Sequence, residues 1–226
     1  MGSLKRIAYR HYLKAVLFGA IGAASFPLVI PALGPLPVLD KLPRELGIFI
    51  CIGGMFQIAN SAHSWQCKFR LGLAAGLSYF SILLYWLTVA MGEYGGMPFW
   101  QVGLVYSVFV LYCSVFWGCS TLLIHGIEGT LWFRSFVFAA GWVILEWIRG
   151  AAFTGFPWGN VAYSQARVAP LLQWASLGGV YLVTFFVVLG SIAFLSYAQA
   201  RHSKKALRVG GILLFFVAVL WGGGEA

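Results

Sequence analysis

Long apolar stretches alternate along this chain with short segments that carry glycine, proline or charged residues. A helix needs about 20 predominantly apolar residues to cross the hydrocarbon core of a bilayer. The pattern therefore predicts an all-α fold, a polytopic transmembrane helix bundle with about seven spans. The predicted spans are residues 13–33, 46–62, 71–91, 99–125, 131–149, 171–197 and 206–223.

Composition supports immersion in lipid. Hydrophobic residues make up 61% of the chain and charged residues only 9%, whereas a typical soluble domain carries about 25% charged residues. So few charges exclude both a soluble globular surface and a solvated disordered chain. Because no shift in composition marks a second unit, we expect residues 1–226 to form a single transmembrane domain.

The formal net charge of +9 indicates membrane topology rather than nucleic-acid binding, because the basic residues form short clusters between apolar stretches. Cytoplasmic loops of membrane proteins are enriched in lysine and arginine. One predicted side holds Lys5, Arg6, Arg10, Lys14, Lys68, Arg70, Arg134, Arg201, Lys204, Lys205 and Arg208. The opposite side holds Lys41, Arg44, Arg149 and Arg167. We therefore predict a cytoplasmic N-terminus and, after seven spans, a C-terminus on the outer side.

The first apolar stretch has a second interpretation. Its basic start and the small residues Ala23-Ala24-Ser25 also fit a secretory signal peptide. We favour a retained first helix, because a long hydrophobic bundle follows it. Pro27 and Pro31 are expected to kink this helix or end it early.

No catalytic motif stands out along the chain. It contains no GxSxG, P-loop or dinucleotide-binding fingerprint, and its cysteines and histidines lack the spacing of a metal site. No metal and no cofactor are therefore predicted, and no complete active site can be assembled. Gly72 and Gly76 match the small-residue pattern of packed transmembrane helices.

The segment after the fifth predicted span carries the most information. Glu146 and Arg149 lie three residues apart and share a helix face. A lone carboxylate near the end of a span is costly, so we expect the two side chains to pair. Helix-breaking and aromatic residues follow, namely Gly150, Phe153, Gly155, Phe156, Pro157, Trp158, Gly159 and Tyr163.

Two interpretations of this segment stay open on physical grounds. It is either an aromatic belt loop with an ion pair that caps a helix, or the rim of a lipid-binding pocket. In the second case Arg149 would meet a phosphate and the aromatic side chains would line acyl chains.

Several motifs resemble the membrane domain of bacterial apolipoprotein N-acyltransferases. The similarity is specific in Phe153-Thr-Gly-Phe-Pro-Trp158 and extends over much of residues 71–195. The other matching motifs are Glu146-Trp-Ile-Arg149-Gly150, Tyr163-Ser-Gln165, Pro170-Leu171, Leu177-Gly-Gly-Val-Tyr181, Tyr85-Trp86-Leu87 and Tyr94-Gly-Gly-Met-Pro98.

This resemblance implies an enzyme of the bacterial inner membrane. Family members transfer an acyl chain from a phospholipid to the N-terminal cysteine of a diacylated lipoprotein. They use a Glu-Lys-Cys triad on a nitrilase-like periplasmic domain, which is inserted after the seventh span. The resemblance marks candidate residues for lipid binding or domain docking: Glu146, Arg149, Phe156, Pro157, Trp158, Tyr163 and Gln165.

The chain departs from the family pattern at Ala226, where the nitrilase-like domain would begin. No catalytic residue can therefore be carried over, and the acyltransferase activity is implied for the family alone. We expect the membrane subunit of a split acyltransferase with a separate nitrilase-like partner. The alternatives are a truncated, inactive relative and a membrane scaffold for another lipid-modifying enzyme, such as a polyprenol-phosphate glycosyltransferase.

Overall fold

The structure is a computed structural model that describes residues 2–26, 45–199 and 211. Within that part of the chain it is 83% helical and contains no strand. The helices are α1 (Gly2–Ala23), α2 (Glu45–Ser61), α3 (Trp65–Leu83), α4 (Trp86–Val89), α5 (Phe99–Leu122), α6 (Leu131–Ala151), α7 (Ala169–Gln173) and α8 (Ala175–Gln199). A π-helical turn, Ala90–Tyr94, follows α4, and two 3-10 turns, Ala152–Thr154 and Val161–Gln165, lie between α6 and α7.

The all-helical fold predicted from the hydropathy pattern is confirmed. Helices α5, α6 and α8 are long and apolar enough to cross a membrane, and α3 adds a fourth if its bent continuation is counted with it. Helix α2 is apolar but has only 17 residues. The described residues thus supply three or four crossing helices, where the pattern predicts seven along the whole chain.

Three predicted spans, 46–62, 99–125 and 131–149, correspond to α2, α5 and α6 within three residues at each end. Helix α1 begins earlier than its predicted span and ends at Ala23. The predicted span 206–223 lies outside the described residues apart from Gly211. The prolines expected to end the first helix, Pro27 and Pro31, and the outer loop residues 34–44 also lie outside them.

The predicted span 71–91 is bent within its length. Helix α3 ends at Leu83, and the chain bends by 50° before it continues through α4 and the π-helical turn. Leu84 has left the helical region, with φ −93° and ψ 10°, and its side chain is fully buried. The bend has no glycine or proline at residues 84 and 85, so the usual sequence signal of a helix break is missing.

The predicted span 171–197 is also interrupted. Gly178 and Gly179 interrupt the first turns of α8, and Gly179 adopts φ 63° and ψ −166°. This combination is essentially restricted to glycine, because a Cβ would collide with the backbone. The second half of α8 then continues as a regular apolar helix to Gln199.

The positions of the basic residues near α3 differ from the predicted loop. Lys68 and Arg70 lie in the first two turns of α3, which begins earlier than the apolar pattern indicates. Ser64 caps this helix by accepting a hydrogen bond of 3.2 Å from the backbone N–H of Cys67. Such a cap satisfies one of the free N–H groups of the first turn and fixes where α3 starts.

Small residues allow α3 and α5 to pack closely. A Cβ added at Gly72 would lie 2.4 Å from the carbonyl oxygen of Trp117, and one added at Gly76 would lie 2.9 Å from the Cα of Ser114. The packing role predicted for these two glycines is confirmed. Beside them, the rings of Tyr79 and Trp117 lie 4.3 Å apart in the core.

The direction of each helix decides which residues share an end of the bundle. Helices α1 and α3 run parallel, because Gly19 lies against Ala75 and Gly22 against Tyr79. Helix α5 runs back toward the start of α3, where Thr121 donates a hydrogen bond of 2.7 Å to the carbonyl oxygen of Lys68. We call this end, with the starts of α1, α3 and α6 and the ends of α2 and α5, the basic end.

Candidate functional site

The connection between α6 and α7, residues 152–168, lies at the end of the bundle opposite the basic end, and we call it the connecting segment. Ala152 leaves the helix in an extended conformation, with φ −68° and ψ 140°. Phe153 then takes φ 54°, a left-handed conformation that is uncommon for a non-glycine residue. Gly155 and Gly159, at φ 82° and 77°, allow two further reversals of direction. The predicted break in the helix is confirmed.

Arg149, in the last turn of α6, holds the backbone of this segment. Its Nη1 donates hydrogen bonds of 2.7 Å to the carbonyl oxygen of Trp158 and of 3.3 Å to that of Phe156. Its Nη2 donates one of 2.5 Å to Oδ1 of Asn160. The guanidinium also lies 5.3 Å from the ring centre of Phe80, at cation–π distance. The side chain is only 1% exposed. It donates hydrogen bonds to backbone carbonyl groups that have no partner within a helix.

Glu146, one turn earlier on α6, is the second buried anchor. Its Oε1 accepts hydrogen bonds of 2.9 Å from the backbone N–H of Val161 and of 3.2 Å from Nε1 of Trp142. Its Oε2 accepts one of 2.9 Å from Oγ1 of Thr184 on α8. A single carboxylate therefore joins α6, α8 and the start of the second 3-10 turn.

The expected ion pair between Glu146 and Arg149 is not present among the contacts of these described residues. Their charges interact at longer range, but each side chain makes its hydrogen bonds with other groups. The reason is geometric: the unpaired peptide groups of the connecting segment lie between α6 and its neighbours. They offer closer partners than the helix face that the two residues share.

The remaining polar contacts tie the segment, and the last turn of α6 before it, to three other helices. Gln165 is fully buried and donates a hydrogen bond of 3.1 Å from Nε2 to the carbonyl oxygen of Glu45, at the start of α2. Tyr79 on α3 donates one of 3.1 Å to the carbonyl oxygen of Gly159. Tyr112 on α5 donates one of 3.3 Å to the carbonyl oxygen of Arg149. The non-helical backbone is thus packed against protein, as backbone at membrane depth must be.

The other candidate residues point away from this polar interior. Trp158 is 54% exposed and Tyr163 42% exposed, and Pro157 is exposed as well. The Trp158 ring lies 5.2 Å from that of Trp86 on α4. Phe156 is half-buried and packs at 5.2 Å against the ring of Phe109 on α5. The structure therefore separates the predicted set into buried anchors and an exposed aromatic surface, which we define as Trp86, Pro157, Trp158 and Tyr163.

Sequence reasoning did not select several residues that complete this arrangement. Asn160 was within the segment, yet its role depends on the position of Arg149, and its own Nδ2 is buried without a hydrogen-bond partner. Tyr79, Trp142 and Thr184 lie on other helices, and nothing in the local pattern distinguishes them from ordinary core residues. Trp86 belongs to the matching motif Tyr85-Trp86-Leu87, but no glycine or proline marks the bend that brings it beside Trp158.

The apolipoprotein N-acyltransferase N-terminal domain family matches residues 19–193. The match runs from the last five residues of α1 through most of α8 and includes the whole connecting segment. The chain belongs to this family. Together with the apolar helices, this membership indicates an inner-membrane protein.

Curated relatives carry the name apolipoprotein N-acyltransferase. One from Geobacter metallireducens is 32% identical over 223 residues, which are 97% of this chain and 40% of the relative. One from Methylococcus capsulatus is 30% identical over 217 residues, covering 92% of this chain and 41% of the relative. One from Chromobacterium violaceum is 33% identical over 159 residues, covering 69% and 30%. The chain thus spans less than half the length of each.

The N-terminal domain of the apolipoprotein N-acyltransferase family is represented here by a helix bundle that displays aromatic side chains at one end. Neither buried anchor has a free surface from which to act on a substrate. What this arrangement can do chemically is to present Trp158 and Tyr163 on a backbone that Glu146 and Arg149 hold in place.

Proposed function

We propose that this chain is the membrane domain or subunit of a phospholipid-to-lipoprotein N-acyltransferase. In this proposal it binds lipid substrates at the exposed aromatic surface and docks a nitrilase-like catalytic part. The observation that carries the proposal is the exposed indole of Trp158, which lies beside that of Trp86 on a backbone that a buried arginine and a buried carboxylate fix beneath Trp158. Family membership supports the reaction class, and the exposed aromatic side chains of the site support the lipid-binding role.

Exposed aromatic side chains suit a surface that meets both lipid and protein. Trp and Tyr have an apolar body and a polar edge, and they concentrate where the bilayer meets water. The indole of Trp158 and the phenol of Tyr163 are both close to half exposed. Acyl chains of a phospholipid, or of a diacylated lipoprotein, would lie against these faces.

The burial of Arg149 changes the role that the sequence assigned to it. A guanidinium that is 1% exposed and donates to Trp158, Phe156 and Asn160 is not placed to receive a lipid phosphate. We assign Arg149 and Glu146 as positioning residues, which act on lipid through the geometry of the connecting segment. The exposed aromatic surface then makes the direct contact with the lipid.

Membrane orientation is part of the same proposal. A cytoplasmic N-terminus and seven spans would bring the connecting segment to the outer face of the inner membrane. The distribution of charge supports this, because Arg10, Lys14, Lys68, Arg70 and Arg134 lie toward the basic end of the bundle. The connecting segment lies at the other end, where positive charge is expected to be sparse.

Lipid binding can be measured on this chain in nanodiscs that contain phospholipids with brominated acyl chains. Bromine quenches nearby indoles, so replacing Trp158 by Phe should remove a large part of the quenching. Trp147→Phe is the matched control, because Trp147 is 57% exposed but lies on α6 outside the aromatic surface. Equal losses from both variants would contradict lipid binding at the connecting segment.

Docking needs a second experiment. The chain should co-purify with a nitrilase-like polypeptide from its source cell, and the two together should N-acylate a diacylated lipoprotein. If the chain alone restores N-acylation to a deficient strain, the separate-partner proposal fails. Lipid binding without any nitrilase-like partner would instead favour an inactive relative or a scaffold.

A further inference from the structure

The basic end of the bundle holds a pair of cations that the proposed acyl-transfer role does not use. Lys68 lies in the first turn of α3 and Arg134 in the first turn of α6. Both side chains reach the last turn of α2 and form hydrogen bonds there. Lys68 bonds Ala59 and Arg134 bonds Asn60, which are adjacent residues, so the two positive charges lie at the same turn of α2.

Lys68 is an unusual lysine, because it is only 5% exposed. Its Nζ donates a hydrogen bond of 2.5 Å to the carbonyl oxygen of Ala59, near the end of α2. An ammonium group has three N–H donors, and this is its single hydrogen bond in the described part of the chain. A lysine is rarely buried to this degree unless a partner compensates its charge.

Arg134 is also incompletely satisfied. Its Nη2 donates to Oδ1 of Asn60, while its Nε is buried and has no hydrogen-bond partner. The Nε–H and a neighbouring Nη–H form the edge of a guanidinium that receives two oxygens of a carboxylate or a phosphate. Among the described residues, no carboxylate forms an ion pair with Arg134 or with Lys68.

Exposed aromatic residues in the first turns of α3 and α6 indicate the level of this pair relative to a membrane. Trp65 is the first residue of α3 and is 53% exposed, and Phe133 on α6 is 55% exposed. Tryptophan concentrates at the level of lipid headgroups. A Trp65 at headgroup level would place Lys68 and Arg134 beside the phosphate groups of a bilayer, and basic pockets between helices at this level bind anionic headgroups.

We propose that Lys68 and Arg134 form a binding site for the phosphate group of an anionic phospholipid at the basic end of the bundle. The phosphate supplies a negative charge in direct contact with the pair, which no carboxylate among the described residues does. It accepts hydrogen bonds from the Nε edge of Arg134 after a small rotation of the guanidinium, and the buried ammonium of Lys68 attracts it through its charge. This site is at the opposite end from the aromatic surface, so it does not depend on the proposed acyl-transfer function.

The test is native mass spectrometry of the whole chain, released from a non-ionic detergent with defined additives. The probes are phosphatidylglycerol, phosphatidylcholine and inorganic phosphate at matched concentrations. The variants are Lys68→Gln and Arg134→Gln. The control is Arg70→Gln, since Arg70 lies on the same turns of α3 as Lys68 but is exposed and outside the pair.

The wild-type chain should retain phosphatidylglycerol, and each variant of the pair should weaken its retention about tenfold, the loss expected for a charge-assisted contact. Arg70→Gln should leave retention unchanged, and phosphatidylcholine should bind more weakly to all forms. If Lys68→Gln does not fold, Arg134→Gln decides, because Arg134 is only partly buried.

Three results would overturn the proposal. Equal phosphatidylglycerol retention by wild type and Arg134→Gln would show that the pair binds no headgroup. An equal loss in Arg70→Gln would show a diffuse charge effect rather than a site. Retention of inorganic phosphate that competes fully with phosphatidylglycerol would assign the site to free phosphate instead of lipid.

Discussion

Arg149 and Trp158 are joined by a hydrogen bond of 2.7 Å, from the buried guanidinium to the backbone carbonyl oxygen beneath an exposed indole. The contact links a cation in the interior to the side chain that the surface displays. It fixes the irregular backbone between the two 3-10 turns of the connecting segment to the end of α6. Loss of this hydrogen bond should lower the free energy of unfolding and, as a consequence, weaken lipid binding.

Replacement of Arg149 by lysine tests this link. Lysine keeps the charge but cannot reach Phe156, Trp158 and Asn160 together, because it lacks the planar fork. We expect the free energy of unfolding to fall by about 3 kcal/mol, the scale of lost hydrogen bonds to a charged group in a buried place. Thermal unfolding in detergent measures it, with Arg70→Lys as the exposed control. An Arg149→Lys chain as stable as the control would contradict the anchoring role.

Two substitutions of Glu146 separate the stability contributed by its hydrogen bonds from that contributed by its charge. Glutamine keeps an acceptor for the N–H groups of Val161 and Trp142, and its amide can donate to the hydroxyl of Thr184. Alanine removes all three contacts and leaves buried donors unpaired. We expect Glu146→Ala to cost about 3–5 kcal/mol of stability and Glu146→Gln less than half of that. Equal losses would show that the negative charge, acting on Arg149 at longer range, is the main contribution.

Gly159 offers a test of the backbone beneath Trp158. An alanine there would be strained at φ 77°, and its Cβ would lie 2.7 Å from Cδ2 of Leu83. Gly126 is the matched control, because it has φ 75° but no atom within 4 Å of an added Cβ. The strain alone costs about 1–2 kcal/mol, so Gly159→Ala should lose more stability than Gly126→Ala. It should also reduce quenching of Trp158 by brominated lipid, which Gly126→Ala should leave intact.

The hydropathy pattern predicts most of the described helices, because apolar length is a property of the local sequence. Glycine and proline likewise mark the connecting segment as irregular. No glycine or proline marks the bend after Leu83. Burial of the Leu84 side chain in the core determines its position, not a backbone preference of leucine. Chain length and apolarity therefore predict where a helix lies, but not whether it stays straight.

The candidate site was predicted less completely, for a similar reason. Glu146 and Arg149 were found because charges are rare in apolar helices. Their partners could not be found, since Val161 and Trp158 contribute backbone groups and Thr184 lies 38 residues from Glu146. Local spacing favoured an ion pair between the two charges, and the peptide groups of the folded segment replaced it.

The contact between α3 and α5 gives the last prediction. Gly72 lies so close to α5 that a Cβ would meet the carbonyl oxygen of Trp117 at 2.4 Å and Oγ1 of Thr121 at 2.6 Å. The backbone carbonyl cannot move without shifting α5, so Gly72→Ala should destabilise the bundle by about 1–3 kcal/mol, as expected for overpacking. Gly103→Ala is the control, because Gly103 is an exposed residue of α5 with no atom within 4 Å of an added Cβ. Alanine there should be neutral or stabilising by up to about 1 kcal/mol, since it is the better helix former. Thermal unfolding of both variants in the same detergent decides the matter, and similar midpoints would mean that α3 and α5 are not in close contact at Gly72.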